Sequence, residues 1–305
     1  MKRLFRFGVQ WRAFDDRLSL IDLARQAEQL GYREFFSSDH VGAVDPFVPL
    51  MSVAGVTDRM AIGPLVLNNE LHHPVLLART AATVDRLTGG RLVLGLGTEY
   101  ARAEHEWIGS PISPPGARVG RLSETITVLR ALLDKGSVTF DGQHHHVAVP
   151  SLGVRPVQTR VPILVGGHGR RVIELGGRQA DIVQFTGLTH DGSGDLSAGG
   201  FRRADIDQRS RWLTDAAGDR ADQVERSILV QVTDLDAGHE SRMAELATQL
   251  GLTDEELAET PFVLAGSVER VVDKLERLRE CMGISHVVVR SALGCAPIVQ
   301  ALAGH

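Results

Sequence analysis

Residues 27–40 read AEQLGYREFFSSDH, and the order of residue types in them decides the fold. A helix-like run closes on Leu30, Gly31 follows, and a short apolar strand opens at Glu34. Glycine just past a helix end best tolerates the left-handed capping conformation. The same helix–glycine–strand order recurs in VDRLTGGRLVLG, IELGGRQADIVQF and RECMGISHVVV. Outward from these junctions, apolar runs occupy 7–10, 34–38, 61–67, 91–95, 163–165, 181–185, 228–232 and 286–290. Their nearly continuous apolar character means that both faces are covered, which favours a parallel sheet. Helix-like segments lie between them at 18–30, 75–87, 117–133, 170–179, 201–217 and 268–282. This alternation predicts an α/β fold, a single (β/α)8 barrel over 1–305, with an open doubly wound sheet as the competing arrangement.

Three stretches break the alternation. Residues 137–149 (SVTFDGQHHHVAV) form a β-hairpin pattern with Asp141-Gly142 at the turn. Residues 187–207 begin with the glycine-rich GLTHDGSGDLSAGG, and 237–262 carry extra helical pattern ahead of the last strand. Insertions of this kind extend the C-terminal, catalytic face of a barrel.

Composition narrows the class. The 305 residues are 43% hydrophobic and 23% charged with a net charge of −5, ordinary values for a soluble globular enzyme. That balance gives no footing for nucleic acid or an anionic membrane. No stretch approaches the roughly 20 apolar residues of a membrane span. Cys281 and Cys295 imply no disulfide framework, and the N-terminus lacks the pattern of a cleaved signal. A cytoplasmic enzyme acting on a small molecule is the expectation.

In a barrel the C-terminal strand ends meet at one mouth, so the residues after each strand carry the chemistry. Gln10-Trp11 follow the first strand and Asp39-His40 the second. Asn68, Asn69, Glu70, His72 and His73 follow the third; Gly97, Thr98, Glu99 and Tyr100 the fourth. The fifth ends in Gly166-Gly167-His168-Gly169, directly ahead of a helix with Arg170 and Arg171. Glycines let backbone amides approach a ligand and the helix adds its positive end, which makes an anion site suited to a cofactor phosphate. An ordinary strand–helix turn is the plain alternative. His40 suits proton transfer near neutral pH, with Asp39 beside it, although an Asp-His pair at a loop start is often only solvated. GLGTEY lacks the third glycine of a dinucleotide fingerprint. Adjacent histidines on a strand point to opposite faces, so of 144–146 only His144 and His146 share one, and no metal site is expected.

Read together, FGVQ…LGYREFFSSDH…AIGPLVLNN…TVDRLTGGRLVLGLGTEY…PILVGGHGRRVIELGGRQADIVQF…GISHVVV resembles the bacterial luciferase-like superfamily across nearly the whole chain. Its members are flavin monooxygenases and oxidoreductases that use the deazaflavin coenzyme F420, on a (β/α)8 barrel. The resemblance implies that Asp39 and His40 face the cofactor ring, with His40 catalytic and Glu99 sharing the proton work. It implies a non-prolyl cis peptide at Leu65-Val66, with Asn68 a neighbouring cofactor contact. It further implies cofactor contacts at Gly97 and Thr98, and a phosphate site at Gly166, Gly167, His168 and Gly169. His168 departs from the small residue common there. The SSDH and GTEY endings are nearer the F420 branch, which implies hydride transfer between the deazaflavin C5 and an unidentified small organic substrate, with an FMN-dependent monooxygenase and a non-catalytic flavin-binding relative as the alternatives; a homodimer and a monomer both stay open.

Overall fold

The computed structural model of the chain describes residues 3–12, 19–98, 101–187, 189–190, 196–197 and 200–305. Its main sheet has nine parallel segments: β1 (Arg6–Trp11), β2 (Glu34–Ser37), β3 (Ala61–Pro64), β4 (Leu67–Asn68), β5 (Leu94–Gly97), β6 (Ile163–Gly167), β7 (Ile182–Phe185), β8 (Glu225–Leu229) and β9 (Ile284–Val289). They pair in the order β3-β2-β1-β9-β8-β7-β6-β5-β4. β3 and β4 are two halves of the third predicted strand, parted at the cis peptide bond between Leu65 and Val66. The bridge from Ile62 to Leu92 and the pairing of β4 with β5 close the ring. The expected α/β barrel is therefore the observed one.

Side chains alternate along each strand. On β1, Phe7, Val9 and Trp11 pack outward into the main core, while Gly8 makes room for the ring of Phe36. Phe36, Leu65, Val93, Leu164, Ile182, Leu229 and Val288 form a separate apolar cluster that fills the barrel. Beneath it lies a charged floor. Arg6 stands 2.7 Å from Glu34 and 2.6 Å from Glu225, and His286 stands 3.6 Å from Glu34. β8 starts at Glu225, three residues earlier than the apolar pattern predicts, because Glu225 pairs inside this floor.

The outer helices are α1 (Leu20–Leu30), α2 (Val48–Ala54), α3 (Pro74–Leu87), α4 (Arg102–Trp107), α5 (Pro115–Arg130), α6 (Arg170–Gln179), α7 (Arg203–Ala217), α8 (His239–Leu250), α9 (Asp254–Glu259), α10 (Val268–Met282) and α11 (Ala296–Leu302). Gly31 closes α1 at φ 101°, the left-handed cap its sequence called for. α2, α4 and α11 were not anticipated: each is short and has no side-chain N-cap to announce it.

The hairpin pairs Val138–Asp141 with His146–Val149. It follows α5 and a π-helical turn, Ala131–Lys135. Glu124 of α5 grips its turn by accepting the N–H groups of Gln143, His144 and His145 at 2.7, 2.8 and 2.9 Å. The 237–262 stretch forms α8 and α9, bracketed by the parallel strand pair Val232–Asp234 and Val263–Ala265. Among the described residues no helix is long and apolar enough to cross a membrane.

Candidate active site

The mouth is built around the third strand. Gln10, buried at the end of β1, donates from Nε2 to the carbonyl of Leu65 at 2.7 Å, and Leu65 N–H donates to Ser37 O at 2.7 Å. Val66 then reaches under the next strands. A methyl on Gly97 would stand 2.5 Å from Val66 Cγ2, and one on Gly166 would stand 3.0 Å from its Cγ1. Leu65, Val66, Gly97 and Gly166 thus share one surface, and the two glycines leave room for the valine. Thr98, half-buried, follows β5; Glu99, expected to be catalytic, and Tyr100 lie outside the described residues.

Asp39 and His40 are adjacent in sequence but serve different partners. Asp39 Oδ2 accepts from Asn68 N–H at 2.9 Å and from His72 Nε2 at 2.8 Å. His40 Nδ1 lies 2.8 Å from Glu104 Oε1, and Val41 N–H donates to Glu104 Oε2 at 2.9 Å. A carboxylate oxygen accepts, so Nδ1 carries the hydrogen shared with Glu104. Glu104 was missed because α4 was missed. The signal was present, an adjacent Glu-His pair just after the fourth strand's turn. His40 also lines a hollow with Arg12, Ser38, Val41, Gly42 and Ala43. The indole of Trp107 packs over Gly42, 3.5 Å from where a Cβ would lie.

Asn68, expected at the cofactor, spends its carboxamide on neighbours. Its Nδ2 donates to His105 Nε2 at 3.0 Å, and its Oδ1 accepts from Glu70 N–H at 3.0 Å. His105 in turn donates from Nδ1 to Ser110 O at 3.0 Å. The next residue behaves differently. Asn69 is 1% exposed, and among the described residues neither atom of its carboxamide has a hydrogen-bond partner. Its backbone N–H donates to Gly97 O at 3.3 Å, which sets it beside the glycine-lined surface. A buried orphan amide costs free energy until something completes it.

Across the mouth, Gly166 and Gly167 end β6, and Gly169 is the N-cap of α6 with extended backbone and no side-chain cap. No atom lies within 4 Å of where its Cβ would be. Space is thus left beside the uncapped start of α6, the place an anion uses. Arg170 points along the helix to Glu174 at 2.7 Å. The buried cation nearby is Arg209 of α7, which donates to Thr186 O at 2.8 Å and packs on Gly200. Desolvation, then the Arg209 guanidinium, push the His168 imidazole down to about 4, although the residue is exposed, which weakens the desolvation share. His168 is neutral near pH 7, so the positive charge at this turn belongs to the helix end and the arginines.

His73 and His145 are accounted for locally. His73 Nδ1 caps α3 through Val75 N–H at 3.3 Å, and His145 stands edge-on to His73 at 6.1 Å between ring centroids. Among the described residues no group of three or more His, Cys, Asp or Glu side chains could hold a metal ion.

With this geometry in hand, comparison with known proteins is informative. The sequence model of the luciferase-like monooxygenase family matches residues 13–199. The 5,10-methylenetetrahydromethanopterin reductase of Methanopyrus kandleri is 24% identical over 94% of this chain and 93% of its own. The solved structure of that organism's coenzyme F420 dependent tetrahydromethanopterin reductase superposes with a TM-score of 0.76, at 19% identity, over 97% of both chains. An F420-dependent glucose-6-phosphate dehydrogenase of Microbacterium testaceum is 33% identical over 53% of this chain and 50% of its own. The oxygenating constituent of 3,6-diketocamphane monooxygenase from Pseudomonas putida, solved with FMN, superposes with a TM-score of 0.72 at 16% identity, over 99% of this chain and 96% of its own.

Proposed function

The chain belongs to the luciferase-like monooxygenase family and is an oxidoreductase, and we propose that it works with the deazaflavin coenzyme F420 on a small organic substrate. The observation that carries this reading is the surface shared by Val66, Gly97 and Gly166, together with the His40–Glu104 pair at the end of the neighbouring second strand. The residues present fit a planar cofactor bearing a phosphate. The uncapped N-terminus of α6 at Gly169 offers backbone donors to the phosphate, and the orphaned carboxamide of Asn69 offers both a donor and an acceptor to the ring's polar edge.

When bound, F420 supplies a hydride donor or acceptor at ring carbon C5. The chain's share is binding, orientation and proton handling. Leu65 and Val66 form a support whose position Gln10 and Ser37 fix by hydrogen bonds to Leu65. Gly166, Gly167, His168 and Gly169 hold the phosphate, with Arg209 supplying charge behind them. Asp39, tied to Asn68 and His72, holds the end of the third strand in place. Gly97 and Thr98 line the approach. His40, oriented through Nδ1 by Glu104, gives or takes the substrate proton at Nε2, and Glu99 shares that task. The substrate enters by the hollow beside Trp107. The setting is the cytoplasm, and the unit is one chain or a homodimer.

FMN is the second reading, favoured by the likeness to the FMN-bound monooxygenase. Titration of the purified chain with F420 and, separately, with FMN, followed by cofactor fluorescence, tests the choice. F420 binding at least about tenfold tighter than FMN, a difference of about 1.4 kcal/mol, is expected. The reverse order transfers the case to the monooxygenase reading, and binding of neither sinks both.

A further inference from the structure

Another cavity, of about 400 Å³, lies between α10 and the α8–α9 segment, and no residue in its lining belongs to the site described above. Met243, Leu257, Val263 and Leu278 give it an apolar lining, and one wall carries Arg270, Lys274 and Arg277. Those three are spaced i, i+4, i+7 on α10, so one helix face stacks three cations. Like charges at that spacing destabilise a helix. Within the described residues none of the three comes within ion-pair distance of a carboxylate, although Glu240, Asp254 and Glu259 also line the cavity. Glu240 and Asp254 stand in the first turns of α8 and α9, where the helix ends favour acids. Arg203, also in the lining, is engaged by Asp207 at 3.3 Å.

Lys274 has a defined geometry. Its Nζ donates to Ala258 O at 2.6 Å and to Val263 O at 2.8 Å, which ties α9 to the strand that follows it. An ammonium has three donors, so one is left over. Burial, then Arg270 and Arg277, push this amine down to about 7 against the opposing pull of the Glu259 carboxylate, so its charged form is complete only below neutral pH. An anion placed among the three cations would relieve all of these costs at once.

We propose that this cavity binds a small organic anion, a carboxylate or phosphate on a short apolar body, with its charged end between Arg270, Lys274 and Arg277. The body lies on Met243, Leu257 and Leu278. The site is independent of the barrel mouth and of the cofactor bound there.

The full chain is titrated calorimetrically with acetate, butyrate and inorganic phosphate, alongside the Arg270→Gln/Arg277→Gln double variant, whose exposed positions leave the fold intact by circular dichroism. Butyrate is expected to bind about tenfold more tightly than acetate, from two buried methylenes. The double variant is expected to lose at least about tenfold of that affinity. Equal binding of butyrate by wild type and double variant overturns the proposal, as does no heat with any of the three anions in the millimolar range. Phosphate binding that the variant loses, with no preference for butyrate over acetate, overturns the apolar half of it. Protection of Lys274 from an amine-acylating reagent by butyrate, read by mass spectrometry, is the second expected result, and its absence counts against the site.

Discussion

Glu104 Oε1 stands 2.8 Å from Nδ1 of His40 while its other oxygen takes the N–H of Val41 at 2.9 Å. One carboxylate therefore sets both the tautomer of the ring and the backbone beside it. The link joins the end of the second strand to a helix that follows the fourth.

Replacing Glu104 with alanine should lower kcat by about tenfold to a hundredfold, because a small misplacement of a reacting group costs on that order. Cofactor affinity should stay unchanged, and Glu104→Gln, which keeps one acceptor, should recover part of the loss. Steady-state kinetics with a fluorescence titration of cofactor check this. A raised KM at unchanged kcat would contradict a positioning role.

The contact between Gly97 and Val66 makes a packing prediction. A methyl at Gly97 would meet Val66 Cγ2 at 2.5 Å, so Gly97→Ala should destabilise the fold by about 1–3 kcal/mol. Adding Val66→Ala should restore part of that stability rather than add a second penalty. Urea unfolding of the two single variants and the double variant decides it.

The barrel floor should govern acid stability. Burial alone would raise the Glu34 carboxyl, but Arg6, His286 and Arg33 outweigh it and hold it below its usual range. A depressed acid stabilises the fold above its unfolded pKa, about 4.3, and that stability is lost as pH falls through the lower folded value. Glu34→Gln should therefore cost about 3 kcal/mol at pH 7, since it leaves Arg6 with Glu225 alone. The difference from wild type should shrink below about pH 4. Denaturation midpoints measured across that range would expose an error in either sign or size.

His168 offers a spectroscopic test. Desolvation and Arg209 hold its imidazole at about 4. Removing the charge by Arg209→Gln should move the titration of the His168 ring upward in an NMR pH series, part of the way to about 6.5. A base held low contributes nothing while both states are neutral, and the fold loses stability as pH falls from about 6.5 to about 4, because the unfolded ring takes up the proton first. An unmoved titration would mean that Arg209 does not act on the ring.

Much of the barrel was legible because it rests on local signals. Apolar runs mark strands buried on both faces, and Gly31 and Gly283 mark helix ends that need a left-handed residue. The cis bond was not derivable from composition or spacing; it was placed at Leu65-Val66 by resemblance alone. Short helices without a capping side chain were illegible, and α4 took Glu104 with it. Asn68 and Asn69 look alike in sequence. Only the packing around His105 and Glu70 separates the satisfied amide from the orphaned one.

By itself the sequence determined periodicity, turn chemistry and the residue types available at each strand end, since these depend on neighbours three or four positions away. The tertiary structure decided which of them meet. His40 and Glu104 are 64 positions apart, and no local pattern encodes a contact that exists only because two loops of a closed barrel converge. The same holds for Val66 under Gly97 and Gly166, since nothing local in the sequence shows that the valine packs against both glycines.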